Sequence, residues 1–370
     1  MRKTRVIGSI AGVGRDVWDP LFPGELEAFD YLWAVETSGL KGFVWRYVLV
    51  EDDGIVVAAA PMFVTTYPLE TTLAKSGQRL VQGVRRVFPG LLNLKLASLG
   101  SPCTETLVVG FGPDLDPCEP AVLLGLILDA FEAEAVVAGA GLLGVKDAPL
   151  GQSDLWTAVA CARGYRSISG LPVAALDIDF EDMETYLAAL SAGTRKDMRR
   201  KLRNRSRIRV EWRRELDGVL DRVMALYRQT RDRAEMAFED LTPAYFSNVA
   251  ASMGDRAVYA LYWEGETLLA ANLLLLDDEV LIDKFFVMDG ERGRALDLYF
   301  LSWFETVGEC LRLGVKRYES GAAAYAVKLR LGSRLSPTTL YFRHRNRLLD
   351  RALGLAAPLF AAAPTLQAAA

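Results

Sequence analysis

Histidine is nearly missing: His344 stands alone among 370 residues, in a final strand crowded with arginine, TTLYFRHR. That leaves no Ser-His-Asp triad, no histidine metal centre and no imidazole general base of the usual kind. Cysteine is also scarce. Cys103, Cys118, Cys161 and Cys310 lie far apart and form no CxxC pair, which speaks against zinc, iron-sulfur clusters or a disulfide framework and fits a reducing cytoplasm. No Walker loop and no GxGxxG is present. Neither sign of charge dominates, with Lys+Arg 43 against Asp+Glu 47 and a net charge of -4, so no global positive field draws nucleic acid or acidic lipid. Long apolar runs are lacking too. The start, MRKTRVIGSIAGVGRD, is too short and glycine-rich for a signal peptide and reads as a first strand. The end, ALGLAAPLFAAAPTLQAAA, is broken by Pro358 and Pro364 and reads as a frayed Ala-rich tail over 351–370, so no integral membrane span is expected.

What is present suits a folded chain of two domains. The length exceeds one ordinary core, and 51% hydrophobic with 24% charged residues is the balance of a globular protein. An early hairpin is written as FVWRYVLVE, DDG, IVVAAAPMFVTT, with Gly54 in the turn. An irregular, mixed-charge segment runs from Tyr67 to Gly90, followed by a strand to Leu99. Then come a helix from about Glu119 to Ala138, strand GLLGVKD, a helix around Asp154 to Arg163 and strand LPVAALDID. The second half repeats the order: AVYALYWEG, TLLAANLLLLDD and EVLIDKFFVMD as three strands, the loop GERGRAL, a helix from about Leu296 to Leu313 closed by Gly314, strand VKRYES, and TTLYFRHR. The pattern predicts two α/β units, 1–178 and 179–350, joined by a basic helix–strand–helix segment.

Five places can carry chemistry. The loop DGERGRAL, between a strand and a long helix, offers unpaired backbone N–H groups to a phosphate, with Arg292 and Arg294 flanking Gly293; the alternative is a solvated turn. The run from Arg195 to Arg214 holds eleven Lys/Arg against Asp197 and Glu211. On a helix Arg195, Arg199 and Arg203 share a face suited to polyphosphate or an RNA backbone, or simply to solvent. Lys328, among small residues beyond a strand ending Glu-Ser-Gly, can stabilise an oxyanion or snorkel at the surface. Glu319 can relay a proton from an amine, or pair with Arg317 or Arg330. Asp283 alternates with Leu281, Phe285 and Val287, so that it is either buried and raised in pKa or lines a cleft.

The order of elements together with GERGRA, Gly290 to Ala295, resembles the GNAT superfamily of acyltransferases. Their Q/RxxGxG/A loop grips the pyrophosphate of acyl-CoA; here Gly290 stands in the place of the first Gln/Arg. The whole chain is similar to the tandem-GNAT, FemAB-like and BioF2-like branch. VWDPLFPGELEAFDYLWAVETSGL, VLVEDDGIVVAAAPMF, LSAGTRKDMRRKLRN and RYESGAAAYAVKLRLG carry the likeness. Val327-Lys328-Leu329-Arg330-Leu331-Gly332 follows the Fem-type Phe-Lys-x-x-Phe-Gly pattern.

The resemblance implies two tandem GNAT-like domains, each a twisted mixed sheet flanked by helices, and an amide-forming N-acyltransferase. In that reading Lys328 steadies the oxyanion or leaving oxygen with Tyr325 as a second candidate, Glu319 or Asp283 takes the amine proton, and Arg292, Gly293, Arg294 and Ala295 hold the donor's pyrophosphate. The junction residues Arg195, Arg199 and Arg203 would hold a phosphorylated donor or acceptor. No cofactor is expected to stay bound; the donor substrate is acyl-CoA, favoured by the loop, or aminoacyl-tRNA, favoured by the basic run, and the acceptor is a small-molecule primary amine. The alternatives are a Fem-like aminoacyl or peptidyl transferase, including one that makes a small peptide-like metabolite, and a non-catalytic binding protein on the same fold.

Overall fold

The computed structural model describes residues 1–68, 93–233 and 238–360. The expected irregular stretch beyond Pro68 and the last ten residues lie outside them. In chain order the elements are β1 (Lys3–Ile7), α1 (Arg15–Trp18), α2 (Phe29–Thr37), β2 (Phe43–Asp52), β3 (Ile55–Pro68), β4 (Asn93–Leu99), β5 (Gly110–Phe111), α3 (Glu119–Val137), β6 (Leu142–Pro149), α4 (Ser153–Ala162), β7 (Arg166–Ser169) and β8 (Val173–Asp177). There follow α5 (Met183–Ala189), α6 (Ala192–Lys201), β9 (Arg209–Arg213), α7 (Leu220–Arg233), α8 (Pro243–Met253), β10 (Ala257–Glu264), β11 (Thr267–Leu276) and β12 (Val280–Met288). The remainder are α9 (Arg292–Ala295), α10 (Leu298–Leu313), β13 (Arg317–Glu319), α11 (Tyr325–Arg330), β14 (Arg334–Ser336), β15 (Thr338–His344) and α12 (Arg347–Phe360).

The first unit is a mixed sheet in the order β1-β2-β3-β4-β6-β15-β7, with β5 paired to β3. The two faces of β2 show why it forms. Val48 and Val50 pack with Leu123, Leu124, Ile127 and Phe131 of α3, whereas the alternate residues Tyr47 and Leu49 pack with Trp18, Phe22 and Leu32, as the two-residue period of a strand requires. The hairpin turn places Asp53 and Gly54 at φ 47° and 88°, the left-handed region that glycine enters without strain.

The second unit is a mixed sheet in the order β14-β8-β13-β12-β11-β10-β9. Ala260 and Tyr262 of β10 and Leu269 and Leu274 of β11 form a core with Leu298, Leu301, Phe304 and Val307 of α10. Burying side chains of this size contributes roughly 1.5–3 kcal/mol each. The opposite face is covered by α8, whose Tyr245 and Phe246 meet Phe285 of β12 edge to face. Helix α10 ends at Gly314, φ 75°, where Val315 N–H donates to the Cys310 carbonyl at 3.0 Å, a glycine-closed C-terminus.

The structure draws the units differently from the expected boundary at 178/179. β8 pairs with β13 and β14 and lies in the second sheet, while β15, from beyond residue 337, inserts between β6 and β7 of the first. Strand pairing, not sequence order, decides membership, and an alternating pattern does not say which sheet a strand will join. The expected tail also begins as a helix. Residues 347–360 form α12, and Asp350 accepts from the His344 N–H and pairs with Arg166 of β7. Among the described residues no helix is long and apolar enough to cross a membrane.

Candidate active site

β12 and β13 run parallel and pair at three positions, Val280↔Arg317, Leu281↔Tyr318 and Ile282↔Glu319. Beyond Glu319 the pairing stops while β12 continues beside β11 to Met288, so the sheet opens at the carboxyl end of β13. Gly321, φ 73°, occupies this mouth; a Cβ there would stand 3.6 Å from the Asp283 carbonyl oxygen. A bulge lies at the same level. Leu274 faces Asp283 and Leu273 faces Phe285, leaving Lys284 as the extra residue.

The bulge overturns one sequence expectation. Strict alternation puts Asp283 with Phe285 and Val287, but the extra residue reverses parity. Leu281 belongs to the core under α10, and Phe286 meets Tyr299 of α10 at 6.0 Å between ring centroids. Phe285 turns to α8 instead.

Lys328 answers why a lysine sits in small, apolar company. It is 3% exposed, on the one-and-a-half-turn helix α11, which the chain enters through Ala324 in the left-handed region, φ 53°. Its Nζ donates to the Ser320 carbonyl and, at 2.9 Å, to the Gly321 carbonyl. The ammonium is therefore fixed at the mouth of the opened strands and does not snorkel to water. Ser320 N–H and Oγ both donate to the Ala174 carbonyl of β8, at 2.8 and 3.2 Å. Tyr325 donates its hydroxyl to the Pro172 carbonyl at 2.9 Å, which makes it an anchor of α11. Behind α11, Trp303 Nε1 donates to the Tyr186 hydroxyl at 2.9 Å, and that hydroxyl donates to the Leu331 carbonyl at 2.7 Å.

The two candidate bases part company. Asp283 Oδ2 accepts from Asn272 Nδ2 at 3.2 Å and from the Tyr318 hydroxyl at 3.1 Å. Burial, reinforced by the Asp283 charge, pushes the Tyr318 phenol well above its ordinary pKa. Glu319 accepts from Arg317 Nε at 2.8 Å, in an ion pair along its own strand. Since Tyr318 packs against Trp303 of α10, Arg317 and Glu319 face the other side of the sheet from Asp283.

The GERGRA loop folds onto itself. Asp289 Oδ1 accepts from Glu291 N–H at 3.2 Å and Arg292 N–H at 3.0 Å, and Gln229 Oε1 accepts from Gly290 N–H at 3.4 Å. Arg233 lies where a Cβ on Gly290 would stand, Met288 Sδ packs 3.0 Å from where a Cβ on Gly293 would stand, and Arg292 pairs with Glu264. Arg294 and Ala295 are exposed. Backbone donors that the sequence offered to a pyrophosphate thus serve a carboxylate of the protein, an N-terminal cap in effect.

The basic run divides in the same way. Arg195 Nη1 donates to the Ala188 carbonyl at 2.9 Å and lies 3.4 Å from those of Leu187 and Leu190, closing α5. Arg200 pairs with Asp197, Lys201 with Asp297, Arg205 with Glu305 and Arg207 with Glu264. Lys196, Arg199 and Arg203 are exposed and make no hydrogen bond or ion pair among the described residues. Lys196 and Arg199, at i and i+3 on α6, share a face, and Arg203 follows in the 3-10 turn Leu202–Arg207.

Sequence reasoning missed the neighbours of Asp283. Asn272, fully buried on β11, is the lone polar residue after Thr267 in TLLAANLLLL, and that isolation was the available signal. The first unit holds a counterpart to the lysine. Its parallel pair β4 and β6 ends at Leu99↔Val145, and the next residue, Lys146, donates to the Thr104 carbonyl at 2.7 Å and pairs with Asp147 at 3.0 Å.

A family model for peptidoglycan biosynthesis/recognition, FemAB-like, matches residues 164–355, just over half of the chain and all of the mouth just described. The chain belongs to the FemAB-like family. Among solved structures it is similar to FemX, at 14% identity over 85% of this chain and 91% of that one, TM-score 0.55. It is also similar to a tandem GNAT protein from the clavulanic acid biosynthesis pathway, at 13% identity over 93% of this chain and 98% of that one, TM-score 0.53. No curated protein matches by sequence. This FemAB-like chain therefore has the tandem GNAT fold, two mixed sheets flanked by helices, of transferases that act on amines.

Proposed function

We propose that the second unit forms an amide by moving an activated acyl group from an ester donor to a primary amine. One observation carries this reading: the buried Lys328 ammonium, fixed at the point where β12 and β13 part. A charge held there in a low-dielectric surround stabilises the oxyanion of a tetrahedral intermediate without having to reorganise. Asp283, on the same strand opening and held by Asn272 and Tyr318, takes the proton that the attacking amine sheds. The amine nitrogen gains the bond to carbon, the donor oxygen leaves with the electron pair of the broken bond, and a solvent proton caps it.

Of the two donors, aminoacyl-tRNA is the better supported. The case for acyl-CoA rested on the GERGRA loop, whose N–H groups are taken up by Asp289 and Gln229. The case for tRNA keeps three exposed cations, Lys196, Arg199 and Arg203, on α6 and the turn after it, free to meet phosphates. Binding of fluorescent tRNA across a salt series tests this directly. A steep fall in affinity with salt supports the reading; binding of CoA in preference to tRNA reverses the choice of donor.

A further inference from the structure

Nine buried side-chain nitrogen or oxygen atoms among the described residues make no hydrogen bond, and four of them fall in one cluster: Asn272 Oδ1, Tyr262 OH, Tyr299 OH and Thr306 Oγ1. The cluster lies between the sheet and α10, around Asp283. The carboxylate reaches Tyr318 and Asn272 directly. After burial, its charge is the strongest influence raising the Tyr262, Tyr299 and Tyr318 phenols. The charges of Glu305 and Arg205 also act on Tyr262, and a weak hydrogen-bonding approach of the Thr306 hydroxyl, too long to count as a full hydrogen bond, favours its phenolate. Glu305 and Arg205 form a surface ion pair. The rings of Tyr262 and Tyr299 both meet Phe286, at 6.3 and 6.0 Å between centroids, and Thr306 follows Glu305 directly on α10.

Buried hydroxyls and amides rarely go unpaired, and a polar cavity with two to four such groups is what an ordered water occupies. We propose that Asp283 is the inner end of a hydrated proton path that runs through Tyr299 and Tyr262 to Thr306 and emerges at Glu305 and Arg205. The idea rests on Asp283 acting as the base of the proposed reaction. When an amine fills the mouth it covers the direct route from Asp283 to solvent, and the proton then leaves inward. Asp283 passes one proton to the adjoining water or phenol as that group passes its own along, so each relay group is neutral before and after. One proton leaves for bulk water at the Glu305 end. Tyr262, Tyr299 and Thr306 are in this scheme positioning residues that touch no substrate.

The test has two arms. The first needs no substrate: crystal structures of the full chain and of Tyr262→Phe at a resolution that shows ordered water. The expected result is at least two waters hydrogen-bonded to Asn272 Oδ1 and to the Tyr299 and Tyr262 hydroxyls, with the outer one lost in Tyr262→Phe. A dry cluster overturns the path, whatever the protein's reaction. The second arm uses turnover once a donor and an amine are in hand. Tyr262→Phe and Thr306→Val should each lower kcat about tenfold with KM unchanged and enlarge the solvent isotope effect on kcat, and the double variant should do no worse than the single ones. Wild-type kcat in Tyr262→Phe overturns the relay even if the waters are present. Absence of any turnover in the wild type is a failure of the acyltransfer reading, not of the first arm.

Discussion

The Tyr318 hydroxyl donates to Asp283 Oδ2 at 3.1 Å, across the parallel strand pair that opens into the candidate active site. Removing it with Tyr318→Phe takes a donor from a carboxylate that sits in a nest of aromatic rings, which raises the carboxyl pKa. The acid limb of the kcat profile should move to higher pH, and kcat at neutral pH should fall only modestly. An unmoved limb would show that Asp283 is not the titrating base.

Tyr318 and Tyr262 are among the buried tyrosines that make the fold sensitive to alkali. Burial and the Asp283 charge raise Tyr262 and Tyr318 well above the ordinary phenol value, so the folded state holds those protons where the unfolded chain has released them. That stabilisation is complete below the unfolded pKa of about 10 and drains away as pH rises above it. Urea melts between pH 8 and 11 should show stability falling from about pH 10. The Tyr318→Phe variant should lose the steepness of one proton, roughly 1.4 kcal/mol per pH unit.

Lys328→Met tests the buried ammonium. It leaves the Ser320 and Gly321 carbonyls without their donor, at a cost of about 1–3 kcal/mol each where no water can enter. Turnover should fall by more than tenfold in both Lys328→Met and Lys328→Ala, measured well below their melting temperatures. A folded Lys328→Ala with near wild-type turnover removes the lysine from the mechanism.

How much of this was legible beforehand follows from what each signal depends on. Local period and turn residues placed the β2–β3 hairpin, the three strands β10 to β12, and α10 with its Gly314 stop, because those depend on neighbours in sequence. The exchange of β8 and β15 between sheets depends on pairing across more than a hundred residues, and no local pattern encodes it. Lys328 was found because a lysine in YESGAAAYAVKLRLG contradicts its company. The orientation of Phe285 was not, since a single bulged residue at Lys284 inverts the face of everything after it. The phosphate loop looked right because glycine and arginine were present; the competitor for its donors, Asp289, lies one residue before it and was equally visible.

That competition gives a prediction of its own. Excess CoA should leave the melting temperature of the wild type unchanged, whereas a ligand present at one hundred times its Kd adds about 2.7 kcal/mol. Asp289→Ala should cost about 1 kcal/mol through the lost cap of α9. A clear CoA shift in the wild type would mean that the loop rearranges to release its donors.

The basic segment predicts a separation of roles. Replacing Lys196, Arg199 and Arg203 together by Ala should leave stability within about 0.5 kcal/mol, since none is paired, and should reduce the salt slope of tRNA binding by about two to three. Arg195→Ala should do the opposite, destabilising the C-terminus of α5, whose carbonyls it holds, with little change in the slope. Equal slopes for the triple variant and the wild type would place the phosphate contacts elsewhere.

The Tyr186 hydroxyl links two elements that must stay in register for Lys328 to reach the mouth. It receives the Trp303 Nε1 hydrogen from α10 and gives its own to the Leu331 carbonyl at the end of α11, one turn beyond Lys328. Tyr186→Phe keeps the ring, which stacks on Phe180, and removes both bonds, leaving a buried indole N–H and a buried carbonyl unpaired. A loss of about 2–4 kcal/mol is expected in urea unfolding. If the bonds also position Lys328, kcat measured far below the melting temperature should fall several-fold with KM nearly constant, and Trp303→Phe should reproduce the effect non-additively with Tyr186→Phe. Full turnover in a destabilised Tyr186→Phe would confine the pair to holding the fold.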